Sequence, residues 1–262
     1  MMISGLSRKR RAAPSFLASL GGRVRRSLAL GALGWWLASL ALAGAAGAQP
    51  ASPVGSDMER RMAACITCHG REGQATNSGY FPRLAGKPAG YLYEQLRSFR
   101  DGRRQQADMS HLLANLSDAY LREMAEYFAA LDLPYPPPAP SDLPAAQLAR
   151  GKAMVFEGDA ARGIPACASC HGQALAGVQP GIPGLLGLPR LYIASQLGSW
   201  VTGDRRAPAP DCMAEVGRKL NNEDIRAVAG WLAAQPVPAD AKPAAALPAG
   251  VSVACSAMGA HP

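Results

Sequence analysis

The chain has no acidic residue before Asp57, while Arg8, Lys9, Arg10, Arg11, Arg23, Arg25 and Arg26 all precede that point. It also lacks, near its start, an apolar run long enough to span a bilayer. The run Leu28 to Leu42 falls short of the ~20 residues that a spanning helix needs. A basic segment, a short apolar run and the small-residue site Ala46-Gly47-Ala48 together make residues 1–48 a secretory signal, removed after Ala48, and place the mature protein in the periplasm. The rival reading is an uncleaved anchor, because Trp35-Trp36 could sit at a membrane interface; under it the protein stays attached to the membrane.

An excess of positive charge is also missing once that segment is set aside. Seven of the 27 Lys and Arg residues lie upstream of Gln49 and all 19 acids lie downstream, so the formal charge falls from +8 to about +1. Basicity then describes the leader, and a nucleic-acid partner is excluded on charge. Alternating strand patterns are absent as well, which leaves an all-α fold.

What the chain does contain is a repeat, offset by roughly one hundred residues. Cys65-Ile-Thr-Cys68-His69-Gly70 recurs as Cys167-Ala-Ser-Cys170-His171-Gly172. Pro82, Leu84, Gly86, Pro88, Tyr91, Gln95 and Leu96 recur, at identical spacing, as Pro183, Leu185, Gly187, Pro189, Tyr192, Gln196 and Leu197. Met109 and Met213 each precede a leucine, Leu116 and Leu220, by seven positions. The last helix of each half is written by periodicity: Leu121, Met124, Ala125, Phe128 and Leu131 behind Ser117, and Ile225, Val228, Ala229 and Leu232 behind Asn221, with Asp224 three residues after that cap. Between the halves, Pro134 to Pro140 cannot continue a helix and forms a stiff linker. The expected organisation is a leader over 1–48, domains over 49–133 and 141–236 flanking the linker at 134–140, and an Ala/Pro-rich tail over 237–262.

Cys-x-x-Cys-His is the attachment signal of c-type haem: two thiols add to the porphyrin vinyl groups and the adjacent imidazole reaches the iron. Zinc ribbons and redox dithiols share the Cys spacing, but a zinc site needs further ligands and a dithiol needs neither the following histidine nor a duplicate. Cys65, Cys68, Cys167 and Cys170 are thus the expected attachment points of two covalent haem c groups, with His69 and His171 as iron ligands. The repeat nominates Met109 and Met213 as sixth ligands. A thioether opposite imidazole raises the potential and closes the iron to outside ligands, which suits electron transfer. His111 is a rival to Met109, but Glu215 stands at the matching place in the second half, so a histidine ligand would not be duplicated. Met62, Met124 and Met154 read as core packing. The carbonyls of Pro82 and Pro183 are candidate acceptors for the ligand imidazoles, and Tyr91, Tyr192, Gln95 and Gln196 either contact haem propionates or pack helices. Cys212 and Cys255 remain, available for a disulfide that pins the tail.

The order Cys-x-x-Cys-His-Gly, Tyr80-Phe81-Pro82-Arg83-Leu84-Ala85-Gly86, Tyr91, Gln95-Leu96, Phe99-Arg100-Asp101-Gly102-Arg103 and Met109, with Gly158 to Cys167 leading into the second motif, resembles the dihaem cytochrome c4 family over about residues 55–236. The resemblance implies two tandem cytochrome c domains related by pseudo-twofold symmetry, haems near the domain interface, and electron exchange with respiratory partners such as a terminal oxidase or a quinol-oxidising complex. The long basic segment, Cys212 and the tail bearing Cys255 depart from the family pattern. The expected role is a periplasmic single-electron carrier that performs no bond chemistry, soluble or peripheral to the membrane. The alternatives are an electron-transfer subunit of a dehydrogenase or oxidase complex, and a dihaem peroxidase-type enzyme, which would require an iron open to substrate.

Overall fold

The computed structural model describes residues 54–76, 78–138, 140–247 and 254–258; the leader or anchor and its cleavage site lie outside these residues. Ten α-helices are described, and they fall into two sets of five. The first set is α1 (Val54–Arg61), α2 (Ala63–His69), α3 (Ala89–Arg100), α4 (Ala107–Leu113) and α5 (Asp118–Ala130). The second is α6 (Ala145–Phe156), α7 (Cys167–His171), α8 (Arg190–Thr202), α9 (Cys212–Gly217) and α10 (Asn222–Ala233). Chain order therefore repeats helix for helix. Among the described residues no helix is long and apolar enough to cross a membrane.

The last helix of each set forms where its caps and apolar stripe dictate. Ser117 accepts a bond from the Tyr120 N–H and starts α5; Asn221 and Asp224 exchange side-chain and backbone bonds in a capping box that starts α10. Each helix then buries its stripe, Leu121, Met124, Ala125 and Phe128 in one core and Ile225, Val228, Ala229 and Leu232 in the other. Leu131 lies just past the end of α5, at its C-cap, because the helix closes at Ala130. In the first core α5 packs on α3; in the second α10 packs on α6 and α8. Met62, Met124 and Met154 are core residues, 1–5% exposed.

One departure from the all-helical pattern is a two-residue hairpin, β1 (Gly177–Val178) with β2 (Ile182–Pro183) antiparallel to it. Two residues per strand are too few to leave an alternation in the sequence. The tail adds to this hairpin: the Gln179 N–H donates to Ala244 O at 2.8 Å and the Ala244 N–H to Gly177 O at 2.9 Å. A Cys212–Cys255 disulfide, and a bond from the Ser256 N–H to Pro210 O, hold the end of the tail.

The Pro-rich connection is fastened at its start. Arg83, 3% exposed, donates to the carbonyls of Leu133 (2.5 Å) and Pro134 (3.1 Å), and its guanidinium lies 3.9 Å from the Tyr135 ring centroid. The Tyr135 ring packs on Gly187, where a Cβ would come within 2.3 Å of it.

The two halves meet along a local twofold. Arg104 and Arg205, separated by the same 101 positions as Tyr91 and Tyr192, form an antiparallel backbone bridge. The Gln105 N–H donates to Asp204 O and the Arg206 N–H to Arg103 O, both at 2.8 Å. Lys87 crosses the same boundary, donating from Nζ to Gly184 O at 2.9 Å.

Asp224 combines a structural and an electrostatic role that periodicity does not reveal. Its side chain is fully buried and accepts from Arg150 at 2.5 Å and from Arg162 at 2.6 Å. Burial alone would raise this carboxyl; the bonds from Arg162, the Asn221 N–H and Arg150 outweigh it and hold the group at about 2. A carboxyl depressed in the folded state contributes stability above its unfolded value of ~3.9 and loses it as pH falls through the folded value. Asp224→Asn should therefore cost about 2–3 kcal/mol near neutrality, and the gap to wild type should close as pH falls from about 5 to about 2, measured by denaturant unfolding. Cys255→Ser opens a closed loop of 43 residues and should cost about 2–4 kcal/mol, with faster amide exchange at Gln179 and Ala244.

Candidate functional site

Cys65, Cys68 and His69 occupy α2, and Cys167, Cys170 and His171 occupy α7, so in each half both thiols and the imidazole emerge from one short helix. The helices end on Gly70 (φ 78°) and Gly172 (φ 80°). At Gly70 a Cβ would meet Ala75 O at 2.3 Å, so the sharp exit after the histidine demands glycine. The chain then curls back and delivers a proline carbonyl to the imidazole: Pro82 O accepts from His69 Nδ1 at 2.9 Å, and Pro183 O accepts from His171 Nδ1 at 2.7 Å. A carbonyl only accepts, so Nδ1 carries the hydrogen and Nε2 keeps its lone pair for a metal. Both rings are buried, 7% and 8% exposed, and burial holds both below the ordinary histidine value against the opposing carbonyl bond.

Three of the thiols, Cys65, Cys167 and Cys170, are held away from thiolate chemistry. Burial raises Cys65 and Cys170 and pushes Cys167 up to about 11, which disfavours a redox dithiol or a zinc-binding thiolate at neutral pH. Among the described residues no cluster of three or more His, Cys, Asp or Glu side chains could hold a metal ion.

Met109 and Met213 sit in the short helices α4 and α9, each just before the last helix of its half. In the second half Met213, His171, Cys167 and Cys170 line one cleft of about 650 Å³, otherwise walled by side chains such as Ile164, Leu185, Leu197 and Leu232. In the first half Met109 and Cys65 pack against the same core, beside Tyr91 and Leu96. His111 is exposed at the surface of α4.

The interface between the halves holds a buried polar group that sequence reasoning only half identified. Arg104 and Arg205 are 7% and 5% exposed, stacked on Phe99 (4.4 Å) and Trp200 (3.9 Å). Arg104 donates to Gln95, Tyr192 and Gln196; Arg205 donates to Gln196, Tyr91 and Gln95. All of these acceptors are neutral oxygens. Two like charges taken out of water without an anion are costly, so the arrangement calls for carboxylates that the described residues do not supply there. Porphyrin propionates are such carboxylates. The apolar cleft, the paired thiols, the oriented imidazoles and this cationic pair all fit haem. The tyrosines and glutamines were candidates from the repeat; the arginines share its offset and could have been found the same way.

Comparison with known proteins agrees. The cytochrome c family model matches residues 60–129. The "Thiosulfate dehydrogenase electron acceptor" of Thiomonas intermedia is 40% identical over 82% of this chain and 93% of its own. "Cytochrome c4" of Pseudomonas aeruginosa is 33% identical over 75% of this chain and 94% of its own. The chain belongs to the dihaem cytochrome c4 family. The structure of reduced recombinant cytochrome c4 from Pseudomonas stutzeri superposes with a TM-score of 0.60 at 29% identity, covering 69% of this chain and 98% of that one. The thiosulfate dehydrogenase (TsdBA) structure from Marichromatium purpuratum gives 0.60 at 33% identity; this chain spans 66% of its own length and 36% of that protein's.

As a member of the cytochrome c4 family the protein has a class I cytochrome c fold, carries covalently attached haem c at its two Cys-x-x-Cys-His motifs, and transfers electrons. Arg104→Leu combined with Arg205→Leu should lower both haem potentials, because two cations that oppose ferric iron are lost. It should also speed amide exchange at Gln105 and Arg206, whose bonds cross the interface; redox titration and exchange mass spectrometry check the two effects.

Proposed function

We propose that His69 with Met109, and His171 with Met213, are the axial pairs of the two irons, and that the protein is a carrier of single electrons rather than an enzyme. The observation that carries this reading is the cleft in which Met213, His171, Cys167 and Cys170 meet. When bound, haem supplies the one-electron couple. The chain's own residues do the rest: the Pro82 and Pro183 carbonyls orient the imidazoles, the apolar walls exclude water, and the thioethers close the remaining position. A closed position disfavours peroxidase-type chemistry. The domains are 49–133 and 141–236, joined by 134–140, and the mature protein begins at Gln49 in the periplasm after the leader is removed.

For partners, a terminal oxidase or quinol-oxidising complex remains the general expectation for the downstream or upstream component. A second reading is favoured by a specific observation. The relative from Thiomonas intermedia, matched over nearly its whole length, is named for accepting electrons from thiosulfate dehydrogenase, which supports an acceptor role beside a sulfur-compound dehydrogenase. Reduction of the purified ferric protein by a thiosulfate dehydrogenase plus thiosulfate, and not by thiosulfate alone, would support that role; no reduction would return the reading to the oxidase-linked carrier.

The ligand assignment is tested by optical and near-infrared spectroscopy with haem quantified per chain. Wild type should hold two low-spin haems with a methionine-to-iron charge-transfer band. Met109→Ala and Met213→Ala should each remove about half of that band and let one haem per chain bind carbon monoxide. High-spin iron and carbon monoxide binding in wild type would overturn the carrier reading in favour of an open, enzyme-like site.

A further inference from the structure

One buried charge of the first half crosses to the second half and has no counterpart there. Position 87 is lysine, whereas the residue 101 positions later is Leu188, which offers neither charge nor donor. Lys87 lies between Gly86 and Pro88, the cap of α3, and is 5% exposed. Its Nζ leaves its own half and bonds Gly184 O at 2.9 Å. The neighbouring carbonyl, that of Pro183, is the one that accepts from His171 Nδ1 at 2.7 Å. An ammonium of the first half is thus tied to the peptide segment that orients the iron-facing imidazole of the second.

Among the described residues no ammonium is tied in this way to the segment that orients His69. The counterpart of Gly184 is Arg83, whose guanidinium turns to the Leu133 and Pro134 carbonyls and the Tyr135 ring. The surroundings of the two imidazoles differ accordingly: the carbonyl that accepts from His171 Nδ1 is followed by one that accepts from the buried ammonium of Lys87. Arg104 and Arg205 are symmetric and Arg83 stays with the carbonyls that follow its own half, so Lys87 is the charge that reaches across. On Lys87 itself, burial and then like-charged Arg83 act in the same direction and lower the amine to about 7, so in mildly acidic buffer it carries its proton.

We propose that Lys87 is a charge lent by the first half to the second, which raises the reduction potential of the His171 site alone and shifts the shared electron toward it. A fixed cation near iron disfavours the ferric state more than the ferrous one, and it acts strongly where water is excluded. The inference rests on His171 being an iron ligand, as proposed above.

The test is a redox titration of the intact two-haem protein in mildly acidic buffer, with each site assigned by its loss from the charge-transfer band in Met109→Ala or Met213→Ala. Lys87→Gln keeps a donor for Gly184 O but removes the charge. It should lower the His171-site potential while leaving the His69 site unmoved. A tenfold shift in the distribution of the electron corresponds to about 59 mV for one electron, and a change up to that size is expected. Lys87→Arg, which retains the charge, should stay close to wild type. A Lys87→Gln protein whose two potentials are both unchanged, or both shifted equally, would overturn the assignment. Absence of haem from the second half in wild type would instead overturn the ligand reading beneath it.

Discussion

Two guanidiniums buried side by side, with neutral oxygens as partners, set the terms for the rest of this molecule. Arg104 and Arg205 sit on the local twofold, bridged through their own backbone and each bonded to groups from both halves. Burying such a pair without a counter-anion is costly, and their hydrogen-bond partners among the described residues are all neutral. Haem propionates would supply that negative charge, and the apolar cleft of the second half would receive a porphyrin face. Each half covers a small core, which a bound cofactor would enlarge.

Duplication explains why most of the architecture is symmetric; the departures are confined to particular residues. The hairpin that presents Pro183 is overlain by tail residues through Ala244, while Pro82 has no comparable cover among the described residues. The buried ion-pair cluster of Asp224 with Arg150 and Arg162 braces the second core, where the matching position in the first half, Tyr120, is a partly buried ring beneath Arg61. Symmetry in the backbone thus coexists with unequal electrostatics around the two imidazoles.

The attachment motifs, the proline carbonyls, the paired methionines and the two closing helices were all legible in the sequence, because each is a local pattern or one repeated at fixed spacing. Ser117 and Asn221 could be read as caps for the same reason, and the structure shows both bonds. The hairpin was not legible, since strands of two residues carry no period. Lys87 escaped because its significance lies in a contact across 97 positions, and in the absence of a counterpart, neither of which a motif records. Arg104 and Arg205 share the repeat's offset and could have been paired from it, but their burial, in a run such as Gly102-Arg103-Arg104-Gln105, is given only by the fold. Asp224 was read for its cap, and its burial against two arginines needed tertiary structure.

The disulfide at the end of the tail draws on the same kind of side chain that haem attachment needs. Cys212 and Cys255 draw on a pool of six thiols, and six thiols admit 15 complete pairings, of which the finished protein uses one bond and commits the other four sulfurs to porphyrin. Any oxidant that acts before the four are alkylated can trap them in wrong pairs, while late closure finds only one partner left. Haem attachment thereby narrows the pairings open to the tail from fifteen to one.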